Sequence, residues 1–360
     1  MNIVHKVTLK HLKKNKRRTL VTMIGVIISV AMVTAVLTLG VSFLDLMVRQ
    51  HITTHGEWHV KYDNVTPEQM EAIKQDEQTE QFVLSSEGYA LLEESANEYK
   101  PYVHFKHFNK TGLEQFPISL IEGRLPENDQ EIAISEDIIT NAKVNYQIGE
   151  TVTFDVGQRW STENEVELKQ TDSLERNDSG IIEELQIKET KKVTIVGIIE
   201  RPTWEMSWAP GYTAIGYVDE ASWNGVQKID AYITVPKLNQ SVYDTTKSFA
   251  EAHGIEKVSF NTELLRFHGI TANDYLRTTL YSLTAIIGSV ALIYNAFAIS
   301  VSERARHLGM LSSVGATKKQ KRNSVFFEGF VIGAISIPIG ILAGLFGIGA
   351  VFMFINSYLE

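Results

Sequence analysis

Histidines 51, 55 and 59 recur every four residues. On a helix that spacing stacks three imidazoles on one face, a set able to hold a transition metal. Thr53, Thr54 and Gly56 weaken a helix there. The same spacing fits a linker equally well, and no metal site is assigned. His104 and His107 are two further histidines without an assigned role. Trp204, Met206 and Trp208 alternate between Pro202 and Pro210. In a strand, alternation would put all three on one face. That face is either core or an apolar contact surface for a peptide, a lipid or another subunit. Glu328 follows a basic segment and opens an apolar run, where an acid is either a proton relay or a group reaching back to the interface.

Other chemistry is missing from the sequence. A phosphate-binding loop needs four residues between its glycines, then Lys. Gly309 and Gly315 enclose five, and Ala316 follows. There is no nucleophile elbow and no H-E-x-x-H. The chain is read as a non-enzyme that binds no cofactor itself.

The elements that must position these residues are dominated by three uncharged runs, 19–44, 278–302 and 329–359, of 26, 25 and 31 residues. At about 1.5 Å per residue each is longer than the ~30 Å hydrocarbon core of a bilayer. Three spans are predicted: 19–48, 276–302 and 326–356. Residues 1–18 carry seven Lys and Arg and no acid, and 303–322 carry six against Glu303 alone. Residues 45–277 hold 21 Lys and Arg against 40 Asp and Glu, a formal charge of −19. Basic segments stay inside. This predicts a cytoplasmic N-terminal helix over 1–18, a cytoplasmic loop over 303–325 and an acidic domain over 49–275 outside the cell. The uncleaved first run is expected to act as an anchor, since it is too long for a signal peptide. The chain has no cysteine, so the outer domain must build its core without disulfides.

The outer domain reads as α+β. Thr66-Pro67-Glu68-Gln69 starts a helix with a capping box, and Met70 and Ile73, with Phe82 as a candidate, face a core. Ser135 caps a second helix. Residues 132–134, 151–154, 193–199 and 232–235 are β-rich. The stretch 158–192 is polar and acidic, and is expected to be a long solvated hairpin or a disordered loop. Residues 239–252 read as a helix with Val242, Phe249 and Ala250 inward. In the last span, Gly329 with Gly333 and Gly340 with Gly344 allow close helix packing in lipid, and Pro338 would kink it. The fold class is therefore an α-helical transmembrane bundle with an inserted α+β extracytoplasmic domain.

Residues 303–320, ERARHLGMLSSVGATKKQ, make an amphipathic helix presented to the cytoplasm. By periodicity alone it suits a partner's groove or the lipid headgroups equally. The run, followed by Glu328-Gly329, resembles the C-terminal signature of FtsX/MacB-type ABC transporter permeases. EGRLPENDQEIAIS (122–135) and VTIVGII (193–199) are similar to the outer core domain of MacB-like proteins. The resemblance covers essentially the whole chain, in family order.

The resemblance implies a cell-membrane permease that transmits force from a separate ATPase dimer, which would use ATP and Mg, to the outer domain. It makes Glu303, Arg304, Arg306, Leu308, Gly309, Leu311, Gly315, Ala316 and Thr317 the coupling segment. It also implies a second permease copy or half within the bilayer, and a Gram-positive bacterium is the expected source. Expected outputs are export of, or resistance to, peptides or other envelope substrates. Alternatives are lipoprotein handling and control of cell-wall hydrolases. A sensory receptor with an outer ligand-binding domain is the reading from another class. Nucleic acid is not an expected partner. The family has four spans where this chain has three, so the chain is expected to be a fragment or the front part of a longer duplicated permease.

Overall fold

A computed structural model describes residues 3–177, 180–221, 223, 225, 228–271, 294 and 317–359. The chain divides into two units, Met1–Leu46 with Asn273–Glu360, and Met47–Ala272. The predicted span 276–302 lies outside the described residues.

In the first unit, α1 (Ile3–Lys14) is followed after Asn15 by α2 (Lys16–His55), whose residues from 47 on belong to the second unit. Among the described residues, α2 and the last helix, Lys318–Leu359, are long and apolar enough to cross a membrane. Leu20, Ile24, Ile28 and Met32 are exposed along α2, as expected of a helix apolar on all sides. Leu12, Val26 and Ile332 form a small core with Met23 and Val30. Thr8 Oγ1 lies 2.9 Å from Ser324 Oγ, and the His5 and Phe327 rings stack at 4.0 Å. The N-terminal helix thus packs on the start of the last one.

Two boundaries differ from expectation. The last helix begins at Lys318, inside the stretch assigned to the loop 303–325. Its reason is a capping box: Thr317 N–H donates to Gln320 Oε1 at 2.9 Å, and Gln320 N–H to Thr317 Oγ1 at 3.2 Å. Helix α2 runs to His55, past the predicted end at 48. It stops at Gly56, whose φ of +80° and N–H to Ile52 O bond of 2.8 Å close the helix.

The second unit holds β1 (Val60–Val65), α3 (Pro67–Gln75), β2 (Gln81–Leu91), β3 (Tyr102–Phe108), α4 (Lys110–Gln115), β4 (Leu120–Gly123), β5 (Glu131–Ser135) and α5 (Glu136–Thr140). It continues with β6 (Thr151–Ser161), β7 (Val166–Leu168), β8 (Arg176–Asn177), β9 (Gly180–Ile181), β10 (Glu184–Ile199) and β11 (Gly211–Tyr217). It ends with β12 (Ile229–Thr234), α6 (Val242–Ala252), β13 (Lys257–Phe260) and α7 (Thr262–Phe267); the last helix is numbered α8. The capping box of α3 forms as predicted, with Met70 and Ile73 buried. Phe82 lies on β2, half-buried against the same core. Ser135 caps α5 through Asp137 N–H, and Val242 and Ala250 of α6 are buried.

Eleven of the described strands form one sheet in the order β13-β1-β12-β2-β3-β11-β5-β10-β6-β7, with β4 added to β10, and β8 and β9 pair separately. At one end, β13-β1-β12-β2 is antiparallel and is connected as β1-α3-β2 and β12-α6-β13, a split βαβ arrangement. Val60, Tyr62, Ile229 and Ile233 bury one face of it with Met70, Ile73 and Val242. At the other end the sheet curls on itself. Tyr89 of β2 pairs with Gly157 of β6, closing the ring β2-β3-β11-β5-β10-β6. Phe105, Ile132, Ile134, Phe154, Ile195 and Tyr212 fill that ring.

The stretch 158–192 is a folded arm, not a disordered loop. Strands β6 and β10 pair at its two ends, β7 adds to β6, and β8 pairs with β9 between them. At its base Arg159 makes paired 2.7 and 2.8 Å bonds to Glu183, both side chains fully buried. Arg159 also donates to the carbonyls of Lys169, Asp172 and Ser173. One acid of the predicted solvated stretch is therefore a core group.

Candidate functional site

Alternation along four adjacent strands builds one polar sheet face. Lys61 and Asp63 of β1, Asp230 and Tyr232 of β12, Ser85 and Glu87 of β2, and His104 and Lys106 of β3 all line one cleft. The register sets Lys61 opposite Tyr232, Asp230 opposite Ser85, and Glu87 opposite Lys106. Lys61 Nζ lies 2.7 Å from Asp63 and 2.6 Å from Asp230. The second Asp230 oxygen accepts the N–H of Asn64 at 3.0 Å. Asn64 can offer it because it takes a φ of +52° in a bulge of β1. Lys106 Nζ is 2.7 Å from Glu87, and His104 Nε2 is 3.5 Å from the other Glu87 oxygen.

These pairs fix the charges. Burial opposes the charged form of Lys61, yet Tyr232, Asp230 and Asp63 hold its ammonium well above the ordinary lysine range. Burial likewise opposes ionised Glu87, but Lys106 and His104 keep its carboxyl well below the usual range. Burial with Lys191 nearby pushes His107 down to about 3, leaving it neutral. The cleft has a volume of about 490 Å³. Its apolar wall is aromatic. Trp58 meets Tyr232 edge-on at 5.2 Å, and Phe116 lies 5.8 Å from Tyr232 and 6.2 Å from Trp204.

The residues singled out in the sequence are distributed differently. Residues 200–210 form turns, not a strand, so Trp204, Met206 and Trp208 do not share a face. Trp204 packs against the core, Met206 lines the cleft, and Trp208 is exposed, its Nε1–H donating to Thr171 O at 3.3 Å. Prolines and the buried Glu205 explain the turn: Glu205 takes Lys100 at 2.6 Å and both the N–H and hydroxyl of Thr213. The three histidines do not stack as a set. His51 and His55 stack at 4.5 Å at the end of α2, whereas His59 lies beyond Gly56 and accepts Val235 N–H through Nδ1. Burial, with His268 nearby, pushes His59 down to about 4.

The end of α2, from residue 47 on, belongs to the outer unit and is bonded within it. His51 Nε2 is 2.9 Å from Asn261 Oδ1, and Thr203 donates to Thr54 O at 2.9 Å. A Cβ on Gly56 would sit 2.8 Å from the Phe116 ring. In the first unit, a Cβ on Gly340 would lie 2.7 Å from Val30 Cβ, and one on Gly344 2.7 Å from Ala31 O. Gly329 meets nothing within 4 Å and Gly333 only Ile337 of its own helix, among the described residues. Glu328 is half-buried on α8. Glu303 to Ala316 of the coupling segment lie outside the described residues, and Thr317 caps α8.

The polar face was not foreseen from the sequence. Its only signal is alternation, as in Val60-Lys61-Tyr62-Asp63, which says that charges share a face but not which strand lies beside them.

A family model described as MacB-like periplasmic core domain matches residues 19–246, more than half of the chain, and one described as FtsX-like permease C-terminal matches 279–359. The macrolide export ATP-binding/permease protein MacB of Psychrobacter cryohalolentis is 23% identical over 96% of this chain and 50% of its own length. The chain thus spans about half the length of the curated relatives it matches. The extracellular domain of the noncanonic ABC-type transporter YknZ from Gram-positive bacteria aligns with a TM-score of 0.34 at 11% identity, over 57% of this chain and 99% of that one. The periplasmic region of MacB from Actinobacillus actinomycetemcomitans aligns at 0.35 and 10%, over 63% and 99%. With its core-domain and C-terminal matches in the family's order, the chain belongs to the FtsX/MacB-type ABC transporter permeases.

Proposed function

We propose that this permease is a mechanotransmitter. A separate ATPase dimer, using ATP and Mg, engages residues 303–317, and the movement reaches the outer domain through the membrane helices. The observation that carries this reading is α2, a helix without a break from Lys16 to His55. Its last turns hold Asn261 and Thr203 of the outer unit. A helix keeps its hydrogen-bonded continuity even where it curves, so a shift at one end is felt at the other. The −19 charge of residues 45–277 favours cationic peptides as what the outer movement expels or resists, through long-range attraction. A second copy or half of the permease completes the assembly.

Purification of the tagged full chain from native membranes tests this. An ATPase should co-purify, and its activity in lipid nanodiscs should depend on the permease. Leu308→Asp should lower co-purified ATPase about tenfold, as removal of an interface anchor does. Recovery of no ATPase, or of equal amounts with Leu308→Asp, would defeat the reading.

A further inference from the structure

We propose that the cleft over β1, β12, β2 and β3 binds a neutral saccharide. Its volume of about 490 Å³ is that of a small-molecule site. Its charges, apart from exposed Lys169 at the rim, which has no ion pair among the described residues, are already matched. Lys61 holds Asp63 and Asp230, Lys106 holds Glu87, Lys228 is 3.5 Å from Glu167, and Lys257 is 3.5 Å from Asp63. An anionic ligand would meet a free cation only at the solvated rim; on the floor, any ionic ligand would have to displace Lys61, Lys106 or one of their partners and leave a charge uncompensated. A neutral ligand keeps every pair and can still hydrogen-bond to its outer lone pairs and protons.

The cleft also has polar atoms that await partners. Ser85 is 2% exposed, and its Oγ has no hydrogen bond among the described residues. Trp204 Nε1, a donor, and Gln170 Oε1, an acceptor, are likewise buried and unpartnered. A hydroxyl, a donor and an acceptor together suit sugar hydroxyls, each of which donates and accepts. Trp58, Tyr232 and Trp204 add flat apolar surface for the C–H face of a pyranose ring. An extended peptide fits less well. Each floor strand is paired on both sides, β1 with β13 and β12, β12 with β1 and β2, β2 with β12 and β3, β3 with β2 and β11. Residues 86–88 of β2, between its partners β12 and β6, lack a strand on one side, but there Gln158 Nε2 donates to the Glu87 carbonyl, so the floor offers side chains and no run of free backbone edge for a peptide to extend.

The test uses the full chain in lipid nanodiscs free of glycoside detergent, without nucleotide or ATPase, so that its outcome is separate from that of force transmission. Saturation-transfer NMR titrations would compare N,N′-diacetylchitobiose and maltose, both neutral, with anionic digalacturonate and the tripeptide Ala-Phe-Ala. A neutral disaccharide should bind saturably, and digalacturonate at least about tenfold more weakly. Trp58→Ala should weaken the sugar about tenfold. Ser85→Ala, which removes one buried oxygen and little packing, should weaken it about fivefold. Absence of saturable binding by either neutral disaccharide, tighter binding of the tripeptide, or equal sugar affinity in both variants would overturn the proposal.

Discussion

At the scale of single residues, the outer domain rests on a few buried charges that are expensive to orphan. Arg159 and Glu183 are both fully buried. Glu183→Ala leaves a guanidinium in the core and should cost about 3–5 kcal/mol. The double variant Arg159→Met with Glu183→Leu should recover only part of this, because the carbonyls of Lys169, Asp172 and Ser173 lose their donor. Urea unfolding of the full chain measures both. His59 makes a pH prediction. Its folded pKa, lowered by burial to about 4, lies below the unfolded value of 6.5. The unfolded chain binds more protons between those values, so the stability that neutral His59 contributes is complete above pH ~6.5 and falls as pH drops through ~4. The physical cause is that a protonated Nδ1 cannot accept Val235 N–H. Thermal unfolding from pH 8 to 4 should show the decline, and His59→Gln should flatten it; an unchanged slope would reject His59 as the source.

At the scale of elements, close approach is what glycine supplies. Helices α2 and α8 meet at Gly340 and Gly344, where added carbons would collide with Val30 and with the Ala31 carbonyl. Gly340→Ile should cost about 1–3 kcal/mol by overpacking, read as a lower midpoint in a detergent denaturation titration. Gly347 meets nothing within 4 Å among the described residues, so Gly347→Ile should shift the midpoint by less than about 0.5 kcal/mol. The ring closure between β2 and β6 has the same logic. A Cβ on Gly157 would sit 2.1 Å from Gln186 O, so only glycine lets β6 carry both β10 and the Tyr89 contact.

At the scale of the whole molecule, the arrangement is a statement about sides of a membrane. The cysteine-free chain is a ready background for single labels. Glu167→Cys should react with an impermeant maleimide in intact cells, and Lys318→Cys only after permeabilisation. The opposite pattern would invert the topology and remove the ATPase from reach of residues 303–317. Both positions are exposed, so accessibility in the fold does not confound the outcome.

Much of this was decided by local chemistry. Runs without charge must lie in lipid, and a Thr or Ser with its cap partner starts a helix wherever it occurs. Hence α3 and α5 are legible from their caps, α6 from its apolar face and the long helices from their uncharged runs, as are the strands around 132–134, 151–154, 193–199 and 232–235. The signature residues likewise carry the family by themselves. Only the tertiary structure decided how β1, β12, β2 and β3 lie side by side, because pairing between residues as distant as Lys61 and Tyr232 leaves no local trace. The same holds for Glu183, whose sequence surroundings are acidic and solvated, and for the 204–208 segment. There the burial of Glu205 against Lys100 and Thr213 overrode an apolar alternation that, read locally, describes a strand.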